Sequence, residues 1–212
     1  MDRSKLLIYT ITDRKCIGKR DLYESVEKAL RGGARTVQLR EKELNENELI
    51  KEAVQLKKLC EQYGALLIIN DNYKAALKAD ADGVHVGIED APVSEIRKTA
   101  PKGFIIGATA KTVEQAQLAE ASGADYLGVG ALFPSPTKKN ALRITSDDFR
   151  KIAASVNIPA VAIGGIDKDN IRSLKGIGAV GAALVSAVFG AEDIEAAASQ
   201  MKELCHEVFE NA

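Results

Sequence analysis

Basic side chains follow two short apolar runs of the sequence, at positions where they could bind an anion. Arg40 and Lys42 come directly after the apolar residues around Val37, and Lys138 follows another apolar run. Guanidinium and ammonium groups suit phosphate oxygens, because each donates several hydrogen bonds and carries a positive charge. These cations predict a binding site for a phosphate-bearing ligand.

Two acidic residues occupy comparable positions after the next apolar runs. Asp71 follows ALLIIN, and Asp90 comes shortly after GVHVG. Carboxylate oxygens suit Mg²⁺, which usually joins one or two carboxylates to substrate phosphates. Cations combined with two carboxylates predict a diphosphate bound with Mg²⁺. Either acid could instead cap the helix that follows it, Asp71 before Tyr73 and Asp90 before Pro92.

Glycines and small residues predict a second anion site in the last third of the chain. Gly164-Gly165 follow PAVAI, and Val185-Ser186 lie in the last apolar run. Backbone N–H groups approach phosphate oxygens closely at such turns, and phosphate sites of eight-stranded barrels commonly follow strands seven and eight. The segment 134–139, PSPTKK, suits the same role, although a solvated surface loop is the alternative.

Apolar and amphipathic segments alternate along the chain and would position these residues. The predicted strands are 6–12, 36–41, 65–71, 83–87, 104–110, 125–133, 159–166 and 179–189. The predicted helices are 22–33, 46–63, 73–78, 93–99, 113–121, 147–154, 168–174 and 194–209. Such alternation predicts parallel βαβ units, and strands that are apolar throughout are typical of a sheet buried on both faces.

The units indicate an α/β fold with a single closed (β/α)8 barrel, a TIM barrel, over residues 1–212. The alternative is an open doubly wound sheet, which usually has a GxGxxG turn after its first strand. Here the first strand ends in Thr12-Asp13-Arg14-Lys15, without a GxGxxG turn. Because active sites of these barrels lie at the carboxyl ends of the strands, the polar residues above are expected at one mouth.

Composition narrows the class of protein. The net charge of -1 excludes a global field that would attract nucleic acid or an anionic membrane. No apolar run is long enough to span a membrane, and the N-terminal one is too short for a signal peptide, so a cytoplasmic location is expected. The cysteines form no CxxC pair, which argues against a zinc site. Cys60 and Cys205 are expected to be buried, and His85 is expected to be a structural residue inside the barrel.

Six motifs carry a resemblance to a known family. They are QLREK (38–42), IND (69–71), ADGVHVG-x-ED (81–90), GATAKT (107–112), PSPTKK (134–139) and AIGGI (162–166). In this order the chain resembles thiamine phosphate synthase over nearly its whole length. The resemblance implies a transferase of thiamine biosynthesis that joins a hydroxymethylpyrimidine diphosphate to a thiazole phosphate, releasing diphosphate through a pyrimidine carbocation.

The resemblance also implies roles for individual residues. Mg²⁺ would be held by Asp71 and Asp90, and the departing diphosphate would be stabilised by Arg40, Lys42 and Lys138. Contacts to the pyrimidine diphosphate are implied for Gln38, Leu39, Arg40, Glu41, Lys42, Asn70, Thr109 and Lys138. Contacts to the thiazole phosphate are implied for Ser135, Pro136, Thr137, Gly165, Val185 and Ser186. Small-molecule substrates, and neither nucleic acid nor membrane, are the expected partners.

Several positions depart from the family pattern, including GALF (130–133) where GPIF or GPIY is usual, and rival functions stay open. Ile88 stands where glutamine is common, Ser135 where threonine is common, and Lys111 where histidine is common. One rival is a thiazole tautomerase, which resembles this chain but uses a histidine at the position of Lys111. The others are a phosphosugar isomerase on the same barrel and a thiazole-phosphate-binding protein without turnover.

Overall fold

The strands of the computed structural model, which describes residues 1–135 and 142–210, form a closed parallel barrel in chain order. They are β1 (Ile8–Ile11), β2 (Thr36–Leu39), β3 (Leu66–Asn70), β4 (Gly83–Val86), β5 (Ile105–Ala110), β6 (Tyr126–Gly130), β7 (Ala160–Ile163) and β8 (Ala182–Leu184). The pairing of β1 with β8 closes the barrel. The predicted (β/α)8 barrel is therefore confirmed, and the open-sheet alternative is wrong.

Helices connect successive strands around the outside of this barrel. They are α1 (Arg14–Ile17), α2 (Leu22–Arg31), α3 (Glu46–Gln62), α4 (Tyr73–Lys78), α5 (Val93–Thr99), α6 (Val113–Ala121), α7 (Ser146–Ala154), α8 (Ser186–Phe189) and α9 (Ile194–Cys205). Side-chain caps explain where several of them begin. The side chains of Asp21, Asn45 and Asp193 each accept a hydrogen bond from a backbone N–H of the first helical turn. Across the described residues, none of these helices is long and apolar enough to cross a membrane.

Two predicted elements differ from the structure. Residues 168–174 were predicted as a helix, but only a 3₁₀ turn, Ile171–Leu174, forms there. The carboxylate of Asp167 accepts hydrogen bonds from the backbone N–H groups of Asp169 and Asn170. This turn occupies the positions where the helix was predicted to begin, so the helical residues begin only at Ile171. The strand predicted over 179–189 is split into β8 and α8, because a short apolar run does not distinguish a strand from a short buried helix.

Strand residues alternate between two apolar layers. One layer, between strands and helices, contains Val37, Leu39 and Leu67. The other fills the barrel interior and includes Tyr9 and Tyr126. Because side chains alternate along a strand, Gln38 points into the barrel while its neighbours Val37 and Leu39 pack against helices. This alternation decides which polar groups can reach a ligand inside the mouth.

The last helix packs beside the place where the barrel closes. Helix α9 contacts α2, α8 and β1, and its residues Ile194, Ala198 and Met201 are buried in the outer layer. Cys205 and, in α3, Cys60 are also buried, as expected, and burial raises the pKa of each thiol to about 12. These cysteines are small core residues and not reactive groups.

Candidate active site at the carboxyl end of the barrel

Two carboxylates meet after β3 and β4. Asp71 immediately follows β3, and its carboxyl group lies close enough to that of Asp90, in the loop after β4, for the two groups to influence each other's ionisation. Burial, with the nearby carboxyl group of Asp90, raises the pKa of Asp71 to about 6, while Lys42 and Asn70 act in the opposite direction. The arrangement brings Lys42, in the segment after β2, close to the acidic pair. A cation placed between the two carboxylates would relieve their repulsion.

Neither acid caps a helix. The cap of α4 is Asn72, whose side chain accepts from the backbone N–H of Ala75 at 2.9 Å. Helix α5 begins after Pro92 without a side-chain cap, and Asp90 Oδ2 accepts instead from the backbone N–H of Gly87 at 2.7 Å. The interpretation of the two acids as helix caps is therefore wrong.

Asp71 also has an unusual backbone conformation. Its φ is +61°, in the left-handed region that residues other than glycine rarely adopt, although Asp and Asn tolerate it better than most. The backbone N–H of Asp71 donates to the carbonyl of His85 at 2.8 Å, which ties the residue to β4. Strained residues of this kind concentrate at functional sites because the surrounding structure must hold them in place.

The side chains around Asp71 suit Mg²⁺ better than a metal such as zinc, which takes most of its ligands from the protein. Among residues 1–135 and 142–210, no group of three or more His, Cys, Asp or Glu side chains could hold a metal ion. Structural and catalytic zinc sites take at least three protein ligands, whereas Mg²⁺ needs only one or two carboxylates when phosphates complete its shell. Asp71 and Asp90 are therefore the residues that could hold Mg²⁺ together with a bound phosphate group.

Arg40 is held in position by an acid that the sequence interpretation missed. Its Nη1 donates to Asp13 Oδ2 at 3.2 Å, and the two side chains are only 16% and 9% exposed. The backbone N–H of Arg40 donates to Thr12 Oγ1 at 2.9 Å. Asp13 also caps α1. Its position shortly after β1 is the feature of the sequence that could have identified it as a residue of the site. The end of β1 therefore orients a cation supplied by β2.

The structure does not direct two of the predicted side chains at an anion. Leu39 is fully buried in the outer apolar layer. The carboxylate of Glu41 accepts a hydrogen bond from Arg14 Nε at 2.7 Å, and Arg14 also contacts Glu52. Burial is the main factor that raises the pKa of Glu41. Any contact of Leu39 with the diphosphate would therefore have to use backbone atoms, and the Glu41 carboxylate is already paired.

A chain of hydrogen bonds crosses the interior of the barrel beneath the mouth. Gln38 Nε2 lies 2.6 Å from the Tyr9 hydroxyl, which lies 2.8 Å from the Tyr126 hydroxyl. The Tyr126 hydroxyl lies 3.1 Å from His85 Nδ1, and His85 Nε2 lies 3.1 Å from Thr109 Oγ1. His85 is thus the interior structural residue that the sequence predicted. The two tyrosines were missed, because nothing in β1 or β6 marks them as other than apolar.

Buried phenols in this chain stay neutral. Burial raises the pKa of Tyr9 and of Tyr126 well above the ordinary value for tyrosine. Glycines leave room for the rings: a Cβ on Gly107 would lie 2.2 Å from the Tyr126 ring, and one on Gly128 would lie 2.9 Å from His85 Cε1. The five linked side chains therefore form a closely packed polar layer.

The turn after β7 contacts the segment after β6. Gly165 has a φ of +64°, and a Cβ there would lie 2.2 Å from the carbonyl oxygen of Pro134. The backbone N–H of Phe133 donates to the Gly164 carbonyl at 2.9 Å, and Asn170 Nδ2 donates to the Gly165 carbonyl at 2.8 Å. Ser135 therefore lies next to the glycine turn, as an anion subsite shared by these segments requires.

The other predicted residues are placed as follows. Val185 and Ser186 do not lie within a strand but follow β8, with Ser186 as the first residue of α8. Ile88 is 54% exposed in the loop that leads to Asp90. Pro136, Thr137 and Lys138 lie outside the described residues, so their roles stay predictions from the sequence.

Comparisons with known proteins agree on one family. A family model described as thiamine monophosphate synthase matches residues 8–188. The thiamine-phosphate synthase of Fusobacterium nucleatum is 41% identical over 93% of this chain and 96% of its own. That of Pyrococcus furiosus is 44% identical over 97% of this chain and 98% of its own. A solved thiamine phosphate pyrophosphorylase from Pyrococcus furiosus superposes with a TM-score of 0.90 at 43% identity, covering 97% of this chain and 98% of that one.

Proposed function

Because the chain belongs to the thiamine monophosphate synthase family, we propose that it joins a hydroxymethylpyrimidine diphosphate to a thiazole phosphate at the mouth described above. The chain is a transferase that makes thiamine phosphate. The observation that carries the choice of a diphosphate substrate is the Asp71–Asp90 pair beside Lys42. Paired carboxylates next to cations suit a Mg²⁺-bound diphosphate and have no evident use for a neutral ligand.

We propose a dissociative reaction. The bond between the pyrimidine methylene carbon and the diphosphate oxygen breaks first, and the electron pair leaves with diphosphate. The electron-rich aminopyrimidine stabilises the resulting carbocation, and the thiazole ring nitrogen then donates its electron pair to the methylene carbon. No general base is required, because the attacking nitrogen carries no proton.

The proposed roles of the protein are electrostatic stabilisation and positioning. Arg40 and Lys42, with Lys138 from outside the described residues, would stabilise negative charge as it develops on the leaving diphosphate. Asp71 and Asp90 would hold Mg²⁺, which would supply further positive charge against the leaving diphosphate. The turn at Gly165 with Ser135, Pro136, Thr137, Val185 and Ser186 would bind the thiazole phosphate, which keeps the nucleophile beside the reacting carbon.

The curated relatives do not favour the rival functions. The relatives reported above are synthases, and Lys111 stands where a tautomerase would need its histidine. We also propose a cytoplasmic location. It is supported by the buried thiols of Cys60 and Cys205, since reduced cysteines are typical of reducing compartments.

Magnesium removal should stop the reaction. The purified protein, supplied with both substrates and Mg²⁺, is expected to form thiamine phosphate and diphosphate in equal amounts. EDTA should abolish both products and excess Mg²⁺ should restore them, because the acidic pair and the diphosphate need a shared cation. Chromatography of the two products provides the measurement. Turnover that is unaffected by EDTA would contradict the assignment of Asp71 and Asp90 as metal ligands.

Gly165→Ala should weaken binding of the thiazole phosphate. The new Cβ would lie 2.2 Å from a backbone oxygen, so the glycine turn and the segment before Ser135 must move apart. We expect the KM for the thiazole phosphate to rise at least about tenfold, equivalent to about 1.4 kcal/mol, with a smaller change for the pyrimidine diphosphate. Steady-state kinetics with each substrate varied would measure both constants.

Gly18→Ala is the matched control. Gly18 has nearly the same φ, +68°, but nothing lies within 4 Å of a Cβ built there. This variant should lose stability from the left-handed backbone and leave both KM values unchanged. If the two variants affect the KM for the thiazole phosphate equally, the contact between the glycine turn and Pro134 has no part in binding it.

A further inference from the structure

The interior chain of hydrogen bonds has a direction. Gln38 Nε2 donates to the Tyr9 oxygen, so the one proton of that hydroxyl is available for the Tyr126 oxygen. In this direction the Tyr126 hydroxyl donates to His85 Nδ1, which requires the tautomer in which Nδ1 is unprotonated. His85 therefore carries its proton on Nε2 and donates it to Thr109 Oγ1.

Each end of the chain then presents a defined group. Thr109 accepts from His85 and keeps its own proton, so it can act as a donor. Gln38 uses its amide nitrogen within the chain, which leaves Oε1 as an acceptor. In the part of the protein that the structure describes, no hydrogen bond engages this oxygen, and the one fully buried side-chain oxygen without a partner belongs to Glu52. Oε1 of Gln38 is therefore an acceptor that the described residues leave unused, in a residue that is 3% exposed.

We propose that Tyr9, Tyr126 and His85 are positioning residues that fix the amide orientation of Gln38 and the hydroxyl orientation of Thr109, and thereby select an aminopyrimidine diphosphate. This inference rests on the proposed function for its ligand. An exocyclic amino group on the pyrimidine donates a hydrogen bond and would pair with the Gln38 acceptor. A diphosphate oxygen accepts one and would pair with the Thr109 donor. The amino group and the diphosphate lie at opposite ends of the substrate, and Gln38 and Thr109 lie at opposite ends of the chain of hydrogen bonds.

If the hydrogen bonds ran in the opposite direction, the site would suit a different pyrimidine. If Gln38 turned its amide, Oε1 would accept from Tyr9 and every proton along the chain would move to the other side. Gln38 would then present a donor, which suits a pyrimidine with a carbonyl in place of the amino group. The chain of hydrogen bonds would therefore discriminate between the two pyrimidines. To turn the Gln38 amide, four other side chains must change their hydrogen bonds at the same time, which is more costly than turning one isolated amide.

Packing restricts the alternatives to this arrangement. The rings of Tyr126 and His85 pack directly against Gly107 and Gly128, and both side chains are buried. Ring centroids of His85 and Tyr126 lie 5.5 Å apart, and those of Tyr9 and Tyr126 lie 5.9 Å apart. Burial also raises the pKa of both phenols, so the two hydroxyls keep their protons over the working range of pH.

Tyr126→Phe tests the inference because it removes one link and keeps the ring. Calorimetry would measure Kd for two pyrimidine methyl diphosphates, one with the exocyclic amino group and one with a carbonyl in its place. The wild type should prefer the amino compound. In Tyr126→Phe the Gln38 amide is no longer tied to His85, so the ratio of the two Kd values should fall about tenfold. Tyr9→Phe should reduce the ratio similarly.

Tyr63→Phe is the matched control. Its hydroxyl also forms hydrogen bonds, to Arg31 and Glu27, but on the outside of the barrel. The control should keep the wild-type ratio. If Tyr126→Phe weakens both ligands equally and leaves the ratio unchanged, its hydroxyl serves stability alone and the inference is overturned.

A measurement without substrate separates this inference from the proposed function. The chain has 2 histidines, and His206 pairs with Glu210 on the surface, so ¹⁵N NMR of labelled histidine should resolve the His85 ring. The expected spectrum is that of a neutral ring protonated on Nε2. A ring protonated on Nδ1 would overturn the inference whatever the enzyme catalyses. Failure of the wild type to make thiamine phosphate would instead contradict the proposed function and leave this result intact.

Discussion

Asp71→Asn should abolish turnover and at the same time stabilise the metal-free protein. The amide cannot supply the negative charge that holds Mg²⁺ beside the diphosphate, so we expect kcat/KM to fall at least about 100-fold. Asparagine tolerates the left-handed backbone at this position as well as aspartate does, so the turn after β3 should be preserved. Turnover with both substrates and saturating Mg²⁺ provides the first measurement.

The gain in stability follows from the sign of the pKa shift. The folded protein raises the pKa of Asp71 to about 6, so ionisation is less favourable in the folded chain than in the unfolded one. The free energy of unfolding should therefore decrease as pH rises from about 4 to about 6, and the variant should lack this decrease. Because Asp71 is partly exposed to solvent, we expect a gain of only about 1 kcal/mol at neutral pH.

Asp80→Asn is the control for the same chemical change. Asp80 also has a positive φ, +52°, but it lies on the surface after α4, away from the acidic pair. Asp80→Asn should leave turnover unchanged. Thermal unfolding in the presence of diphosphate, with and without Mg²⁺, completes the experiment: Mg²⁺ should raise the Tm of the wild type and of Asp80→Asn but not of Asp71→Asn. Equal Mg²⁺ stabilisation of all three proteins would exclude Asp71 as a ligand.

Arg40→Gln should reduce kcat/KM for the pyrimidine diphosphate by about 10²–10³, in line with the loss of a charge-stabilising donor worth about 2.7–4 kcal/mol elsewhere. Arg40 is held by Asp13 in a nearly buried pair, so its charge is oriented before the ligand arrives. Glutamine cannot replace this preorganised positive charge. Steady-state kinetics with the pyrimidine diphosphate varied at saturating thiazole phosphate provides the measurement.

Two further variants separate the catalytic loss from a folding defect. Removing Arg40 leaves Asp13 without its cation, which destabilises the fold, and Asp13→Asn in the same chain should restore much of that stability without restoring turnover. Arg14→Gln is the matched control, since Arg14 is also an arginine at the barrel rim but is 44% exposed and pairs with Glu41 and Glu52. If Arg14→Gln and Arg40→Gln lose activity equally, Arg40 has no special role.

The barrel and the acidic pair could be predicted because each depends on a local pattern. Eight alternating apolar segments indicate a parallel barrel, and a parallel barrel places all strand ends at one mouth. Asp71 and Asp90 follow neighbouring strands, so their meeting needed no detail of packing. The same argument brought Lys42 to them.

Contacts that depend on exact geometry could not be predicted. Tyr9 and Tyr126 are 117 positions apart, and only the closed barrel brings their hydroxyls together. The pair of Arg40 with Asp13 depends on the short α1, which has too few residues to show a helical period. Leu39 was predicted to contact the ligand because it belongs to the QLREK motif. In the structure, the alternation of side chains along β2 directs Leu39 toward the helices. Each miss involves a direction or a distant partner, which a single sequence does not contain.

The pairing of β1 with β8 has a consequence for how the chain is made. Ile8 pairs with Ala182, so the first strand to leave the ribosome waits for the last before it gains its second neighbour. Until then β1 and β7 each expose an edge that another chain could join. Closure of such distant segments is slow, and it must follow the synthesis of β8. A chain that stops short of β8 would therefore be prone to aggregation, and the native barrel can form only after β8 has been synthesised.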